Sequence, residues 1–138
     1  MIRYVMDASC IGPLLLKDEA HLLIAPLTEA LARSECIVPA HWRFEVANMV
    51  LVAIRRNRIT PAHARAGLTQ IASLEVTTDI ESIEVSLDRT FELARAYKLT
   101  VYDAAYLELA QRLRLTLITT DGELVAAARN DGVDVLTQ

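Results

Sequence analysis

The sequence predicts an α/β fold in which a parallel sheet carries helices on both faces. Short apolar runs of strand length, at 2–6, 36–38, 115–119 and 133–136, alternate with longer segments whose apolar residues recur at helical spacing. That alternation is the pattern of parallel strands joined by helical crossovers. No Ser-, Gly- or Pro-rich linker interrupts it, so the 138 residues are read as one domain over 1–138.

Each element has its own justification. Residues 2–6 (IRYVM) form a buried strand that ends at Asp7. Residues 9–17 and 20–33 give helical pieces, broken near Pro13 and at Pro26 because proline lacks an amide donor. Residues 36–38 (CIV) form the next strand, stopped by Pro39. Trp42, Val46, Met49, Val50 and Ala53 mark a helix over 42–56. Thr60 and Pro61 start another, with Thr as the cap and Pro in the first turn. Residues 75–77 (EVT) supply a short strand. A helix over 80–97 follows, with Ile83, Leu87, Phe91 and Ala94 inward. Tyr102, Ala105, Tyr106, Leu109, Ala110 and Leu113 trace the next. The strand at 115–119 (LTLIT) leads to Asp121, and a helix over 122–130 and a strand at 133–136 (VDVL) close the chain.

Composition narrows the function classes. The chain is 53% hydrophobic, enough for a packed core. No apolar run approaches the ~18 residues needed to span a bilayer. The start, MIRYVMD, has no signal-peptide character. A cytoplasmic protein with no membrane contact is expected. Cys10 and Cys36 lack CxxC spacing and a nearby His pair, so they are read as reduced, buried thiols. The net charge of −4 comes from 18 acids against 14 bases. Setting Asp7, Glu45, Asp103 and Asp121 aside leaves the rest balanced. A broad basic surface for non-specific nucleic-acid binding is thereby disfavoured.

Those four acids are the candidate site. Asp7 and Asp121 stand just past strand ends, and the crevice of a parallel sheet lies beyond its carboxyl edge. Glu45 lies on the inward face of its helix with Trp42 and Met49, where an unpaired charge is costly. Each acid also has a plainer explanation. Glu45 is favoured by a helix N-terminus. Asp103 stands in capping-box-like spacing from Thr100, and Asp7 and Asp121 fit helix caps. Together they are harder to dismiss. Four carboxylates about 6 Å apart repel by roughly 3 kcal/mol per pair at an effective dielectric near 20. Such a cluster calls for a cation or for raised pKa values. Magnesium or manganese suits all-oxygen ligands.

Nearby residues rank lower. Ser9 follows Asp7 by two places, Asn48 lies one turn beyond Glu45, and Thr119 and Thr120 precede Asp121. Each is a supporting candidate or an ordinary polar residue. Tyr102 reads as core in preference to pocket. His21, His41 and His63 show no metal-ligand spacing. Arg55, Arg56 and Arg58 suit a helix C-terminus or an RNA phosphate. Glu123 is a fifth acid or a solvated helix start. No P-loop, dinucleotide fingerprint or GxSxG elbow is present.

The segments VMDAS, FEVAN, VYDAAYLELA and LITTDGEL carry a resemblance. In this order and spacing they resemble a PIN-domain ribonuclease, specifically a VapC-type toxin of a bacterial or archaeal toxin–antitoxin pair. The resemblance covers nearly the whole chain. It implies a three-layer α/β/α sandwich with a central parallel sheet of four or five strands. It implies that Asp7, Glu45, Asp103 and Asp121 are metal-binding, catalytic acids supported by Ser9, Asn48 and Thr120. It also implies a homodimer and a cognate antitoxin whose tail blocks the acidic pocket.

The expected activity is endoribonuclease cleavage of structured RNA (tRNA, rRNA or mRNA) by water activated on one or two Mg2+ or Mn2+ ions. Two other classes stand beside it: a non-catalytic acidic-pocket binding module, and a DNA-directed nuclease of the same fold.

Overall fold

The computed structural model describes residues 2–19 and 24–137. Five strands form one sheet: β1 (Ile2–Met6), β2 (Ser34–Pro39), β3 (Val76–Asp79), β4 (Thr116–Ile118) and β5 (Val135–Leu136). Their order is β3-β2-β1-β4-β5, and every pairing is parallel. Tyr4 stands opposite Cys36 on one side and Thr116 on the other, which fixes the register at the sheet's centre. The expected α/β class and parallel sheet are observed, with five strands where four or five were expected.

The helices are α1 (Ile11–Leu15), α2 (Ile24–Arg33), α3 (Trp42–Arg55), α4 (Pro61–Ala72), α5 (Glu81–Glu84), α6 (Phe91–Tyr97), α7 (Val101–Leu113) and α8 (Gly122–Asn130). The breaks expected at Pro13 and Pro26 do not occur there. Both prolines fall in the first turn of a helix, where an amide has no intrahelical partner to lose. The part of that expectation covering 20–23 lies outside the described residues, as does His21. Thr60 caps α4 as expected, its hydroxyl accepting from the His63 N–H at 3.1 Å.

The connections run from β1 through β2 to β3 on one side and from β4 to β5 on the other. The chain's direction of travel therefore reverses between β1 and β4. Parallel sheets open a crevice at such a point, beyond the carboxyl ends of the two strands. Asp7 leaves β1 there, and residues 119–121 leave β4.

Helix α7 is the central packing element. Residues Ala104 to Ala110 are all buried, Glu108 included. Glu108 accepts from Arg112 Nε at 2.9 Å, and Arg112 also reaches Asp79 (2.6 Å) and Glu81 (2.8 Å). This cluster ties α7 to the end of β3. Cys10 and Cys36 are free and buried, as expected. Among the described residues no helix is long and apolar enough to cross a membrane.

One stripe is inverted at three of its four positions, Ala94 alone being buried as expected. Over 81–97 the helix contains a π-helical segment, Ser86–Thr90. The small residues Ser82, Thr90 and Ala94 face inward and let it lie close to α7. Ile83, Leu87 and Phe91, expected inward, are 62%, 92% and 46% exposed. The π turn adds a residue to the helical repeat, which brings Ser82, before it, and Thr90, at its end, to the inner face. Tyr102 is likewise 63% exposed rather than core.

Candidate active site

Asp7 is the buried centre of the crevice. Its backbone N–H donates to the Ile118 carbonyl at 3.0 Å, so the end of β1 is pinned to β4. Its Oδ2 accepts from two hydroxyls, Ser9 Oγ and Thr119 Oγ1, each at 2.7 Å. Ser9 Oγ in turn accepts the Thr120 N–H at 3.1 Å, and Thr119 Oγ1 accepts the Asp121 N–H at 3.0 Å. Two short relays thus connect Asp7 to the loop that carries Asp121.

Burial pushes the Asp7 carboxyl up from 3.8 to about 6; the two hydroxyls oppose the rise, and Glu45 and Asp103 add to it by repulsion. No hydroxyl can neutralise a charge, so the group remains poised near neutral pH.

The other acids occupy helix starts. Asp121 caps α8, with Oδ1 accepting from the N–H groups of Glu123 (2.9 Å) and Leu124 (3.3 Å). Asp103 lies in the first turn of α7, where its N–H donates to Thr100 Oγ1 at 3.1 Å. Asp103 is raised by burial first, then by Asp121, Glu45 and Glu123. Glu45 lies in the first turn of α3. Its Oε2 accepts from the Tyr106 hydroxyl at 3.2 Å, and its Oε1 stands 3.3 Å from His41 Nε2. The electrostatic pairings Asp7–Glu45, Asp7–Asp103, Asp103–Glu45 and Asp103–Asp121 join all four acids into one field.

The capping role foreseen for Asp121 is therefore real and coexists with its place among the acids, whereas at α7 the cap is Thr100, which accepts the Asp103 N–H, and the described residues show no reciprocal bond from the Asp103 carboxylate. Asp7 makes no side-chain cap for the turn that follows it. Among the supporting residues, Ser9 contacts Asp7 directly. Thr120 contributes only its backbone N–H to Ser9, and the buried side chain bonded to Asp7 is that of Thr119. Asn48 is exposed and has no hydrogen bond to Glu45 among the described residues. Of the arginines, Arg58 pairs with Asp18 (2.7 Å) and Glu19 (2.9 Å).

Sequence reasoning missed Tyr106 and His41 as neighbours of Glu45. The His41 ring packs against Tyr102 and Tyr106 at 5.6 and 5.2 Å between centroids. Burial, Glu45 and Asp7 raise the Tyr106 phenol, so it stays protonated and donates.

The chemistry of the donor set bears on a metal. Every donor is a carboxylate oxygen, and among the described residues no Lys or Arg pairs with any of the four acids. An uncompensated all-oxygen cluster fits a hard divalent cation. As the side chains stand, no three His, Cys, Asp or Glu among the described residues close around one point as a metal site. Coordination would require side-chain adjustment within the crevice.

Fold and crevice define an α/β protein whose parallel sheet gathers acids at its point of reversal. The chain belongs to the PIN-domain family, whose model matches residues 4–130. Ribonuclease VapC3 of Mycobacterium tuberculosis is 30% identical over 125 residues, covering 91% of this chain and 87% of that protein. The chain is thus homologous to VapC ribonuclease toxins. The crystal structure of PAE2754 from Pyrobaculum aerophilum superposes with a TM-score of 0.69 at 25% identity, covering 97% of this chain and 90% of that one. FitAcB from Neisseria gonorrhoeae shares the fold, with a TM-score of 0.66 at 14% identity and 96% of each chain covered.

Proposed function

We propose that this protein is a divalent-metal-dependent endoribonuclease, the toxin of a toxin–antitoxin pair, working as a single PIN domain over 1–138. The observation that carries the reading is the placement of Asp7. It is buried at the sheet's point of reversal, held by two hydroxyls, coupled to Glu45 and Asp103, and matched by no basic side chain among the described residues. Asp7, Glu45, Asp103 and Asp121 would hold Mg2+ or Mn2+. Bound there, the ion would supply Lewis-acid stabilisation and a lowered pKa for water. The protein's own part is to fix the acids, through Ser9 and Thr119 at Asp7, through the α8 cap at Asp121 and through the first turn of α7 at Asp103. Structured RNA with an exposed loop is the substrate class, because its unstacked bases are accessible.

Two surfaces support the partners. An apolar cavity of about 470 Å³ lies between α1, α2 and α4, lined by Leu14, Leu15, Ala32, Gly67, Ile71 and Leu74. It suits the apolar face of a short antitoxin segment. The exposed stripe Ile80, Ile83, Leu87 and Phe91 suits a second copy of this chain. Glu84 and Asp88 precede Arg95, which also pairs with Glu92, and Lys98 at the end of α6, so an antiparallel two-fold pairing sets acid against base.

The test uses purified, antitoxin-free protein on structured RNA and on single-stranded DNA in parallel. RNA cleavage with Mg2+ or Mn2+, its loss in EDTA, and its loss in Asp7→Asn and Asp103→Asn are expected. Undiminished cleavage in EDTA or in both variants overturns the reading, and preferential DNA cleavage reassigns the substrate. No turnover at all by folded protein favours a binding module.

A further inference from the structure

Glu45 differs from the other three acids in how it is held. The Asp7 carboxylate is held by the hydroxyls of Ser9 and Thr119, that of Asp121 by two backbone N–H groups of α8, and Asp103 carries its short side chain on the first turn of α7. Glu45 has the longest reach of the four and comes from a different helix, α3. A free glutamate side chain samples many rotamers, and ordering it for a ligand costs conformational entropy. Something must confine it if it is to face Asp7.

The group that does so is on α7. Tyr106 is completely buried, and its hydroxyl donates to Glu45 Oε2 at 3.2 Å. Ala8, the residue after Asp7, lies beside the same hydroxyl: its backbone and the Asp7 carboxylate both act on the phenol. One phenol therefore spans the exit of β1 and the first turn of α3. Tyr106 also stands one helical turn beyond Asp103, so α7 supplies both an acid and the tether for a second acid. His41 is the other side chain at Glu45, at 3.3 Å from Oε1 and without hydrogen-bond alignment.

We propose that Tyr106 is a positioning residue: its hydroxyl locks the Glu45 carboxylate against the Asp7 turn and so pre-organises the acidic crevice for a divalent cation. The role rests on the metal-dependent reading above. It assigns Tyr106 no contact with substrate or reacting atoms. Groups that orient metal-binding carboxylates commonly change affinity by 10–100-fold when removed. A single neutral hydroxyl belongs at the lower end of that range.

The experiment is Mn2+ binding by calorimetry, without RNA, on wild type, Tyr106→Phe, Glu45→Gln and the double variant, with thermal unfolding in EDTA as the fold control. Tyr106→Phe keeps the buried ring and deletes only the hydroxyl. Its Mn2+ affinity should fall on the order of tenfold, and saturating Mn2+ should restore most RNA cleavage while leaving KM for RNA unchanged. In the Glu45→Gln background the same substitution should have almost no further effect, because the group it positions is already altered. Equal Mn2+ affinity in wild type and Tyr106→Phe overturns the role, as does a full loss that persists in the Glu45→Gln background. Failure of wild type to bind Mn2+ is a different result, and it removes the metal reading together with this extension of it.

Discussion

Replacing Asp7 by Asn should make the metal-free protein more stable, although Asp7 is the most deeply buried of the four acids and among the best hydrogen-bonded. Its carboxyl titrates at about 6 when folded against an ordinary 3.8. That gap corresponds to about 3 kcal/mol at 1.36 kcal/mol per tenfold change in proton affinity. The group is almost wholly inaccessible, so solvent screening removes little of this. The sign follows from proton linkage. The folded state holds the Asp7 proton more tightly than the unfolded chain does. Its stabilising contribution is complete below about 3.8 and is lost as pH rises through about 6. At pH 7.5 the native protein therefore carries the penalty of a buried, unpaired charge. Asparagine keeps the shape, and its amide oxygen can accept from both Ser9 and Thr119, while bonds to a neutral acceptor are weaker by about 1 kcal/mol.

The net expectation is a gain of about 2 kcal/mol for Asp7→Asn at pH 7.5, shrinking to nothing or reversing near pH 4. Urea unfolding in EDTA at both pH values measures it. The reasoning is refuted if the variant is less stable than wild type at pH 7.5, or if the difference does not shrink on acidification. Adding Mn2+ should reverse the ranking, since only wild type then has its charge compensated.

Other substitutions test other links. Arg112→Ala strands Glu108, which is fully buried, and should cost about 3–5 kcal/mol in urea unfolding; a loss under 1 kcal/mol would show that water reaches Glu108. Thr119→Val keeps the volume, deletes the donor to Asp7 and orphans the Asp121 N–H, so a loss of about 1–3 kcal/mol with weaker cleavage is expected. Leu87→Glu changes a side chain that is 92% exposed, so it should leave unfolding unchanged and convert a dimer to a monomer in light scattering; a wild type already monomeric at micromolar concentration would remove the role given to that stripe.

Local patterns carried much of the fold because local physics decides those parts. Thr60-Pro61 and Thr100 start helices by their own chemistry, and the apolar runs at 2–6 and 115–119 pair wherever a parallel sheet forms. The acids were legible for a related reason: residues that leave strands or enter helices are held by backbone geometry within a few positions. The misses depend on distant packing. Nothing near Ile83, Leu87 and Phe91 announces a π turn, nor that Ser82 and Thr90 would join Ala94 on the inner face. A large apolar stripe at helical spacing reports burial, and sequence does not say whether the cover is the same chain. Thr119 and Thr120 are neighbours of one type, and only the direction of β4 at its end turns one toward Asp7. The contact of Tyr106 with Glu45 joins positions 61 residues apart.

The site also shows how a fold tolerates a cluster of like charges. Glu45 and Asp103 lie in the first turns of α3 and α7, and Asp121 caps α8. Each helix start presents unpaired N–H groups and a partial positive charge that favour an acid there. The plain explanation of Glu45, Asp103 and Asp121 as helix-start residues is thus compatible with the proposed function. Three helix starts accommodate most of the negative charge, with no Lys or Arg partner among the described residues. Asp7 alone of the four stands at the start of no α-helix, and it relies on two hydroxyls that cannot cancel its charge. The strain of the cluster therefore concentrates on the residue at the sheet's centre. A metal ion that relieved it would stabilise the folded protein through the same group that it recruits for chemistry.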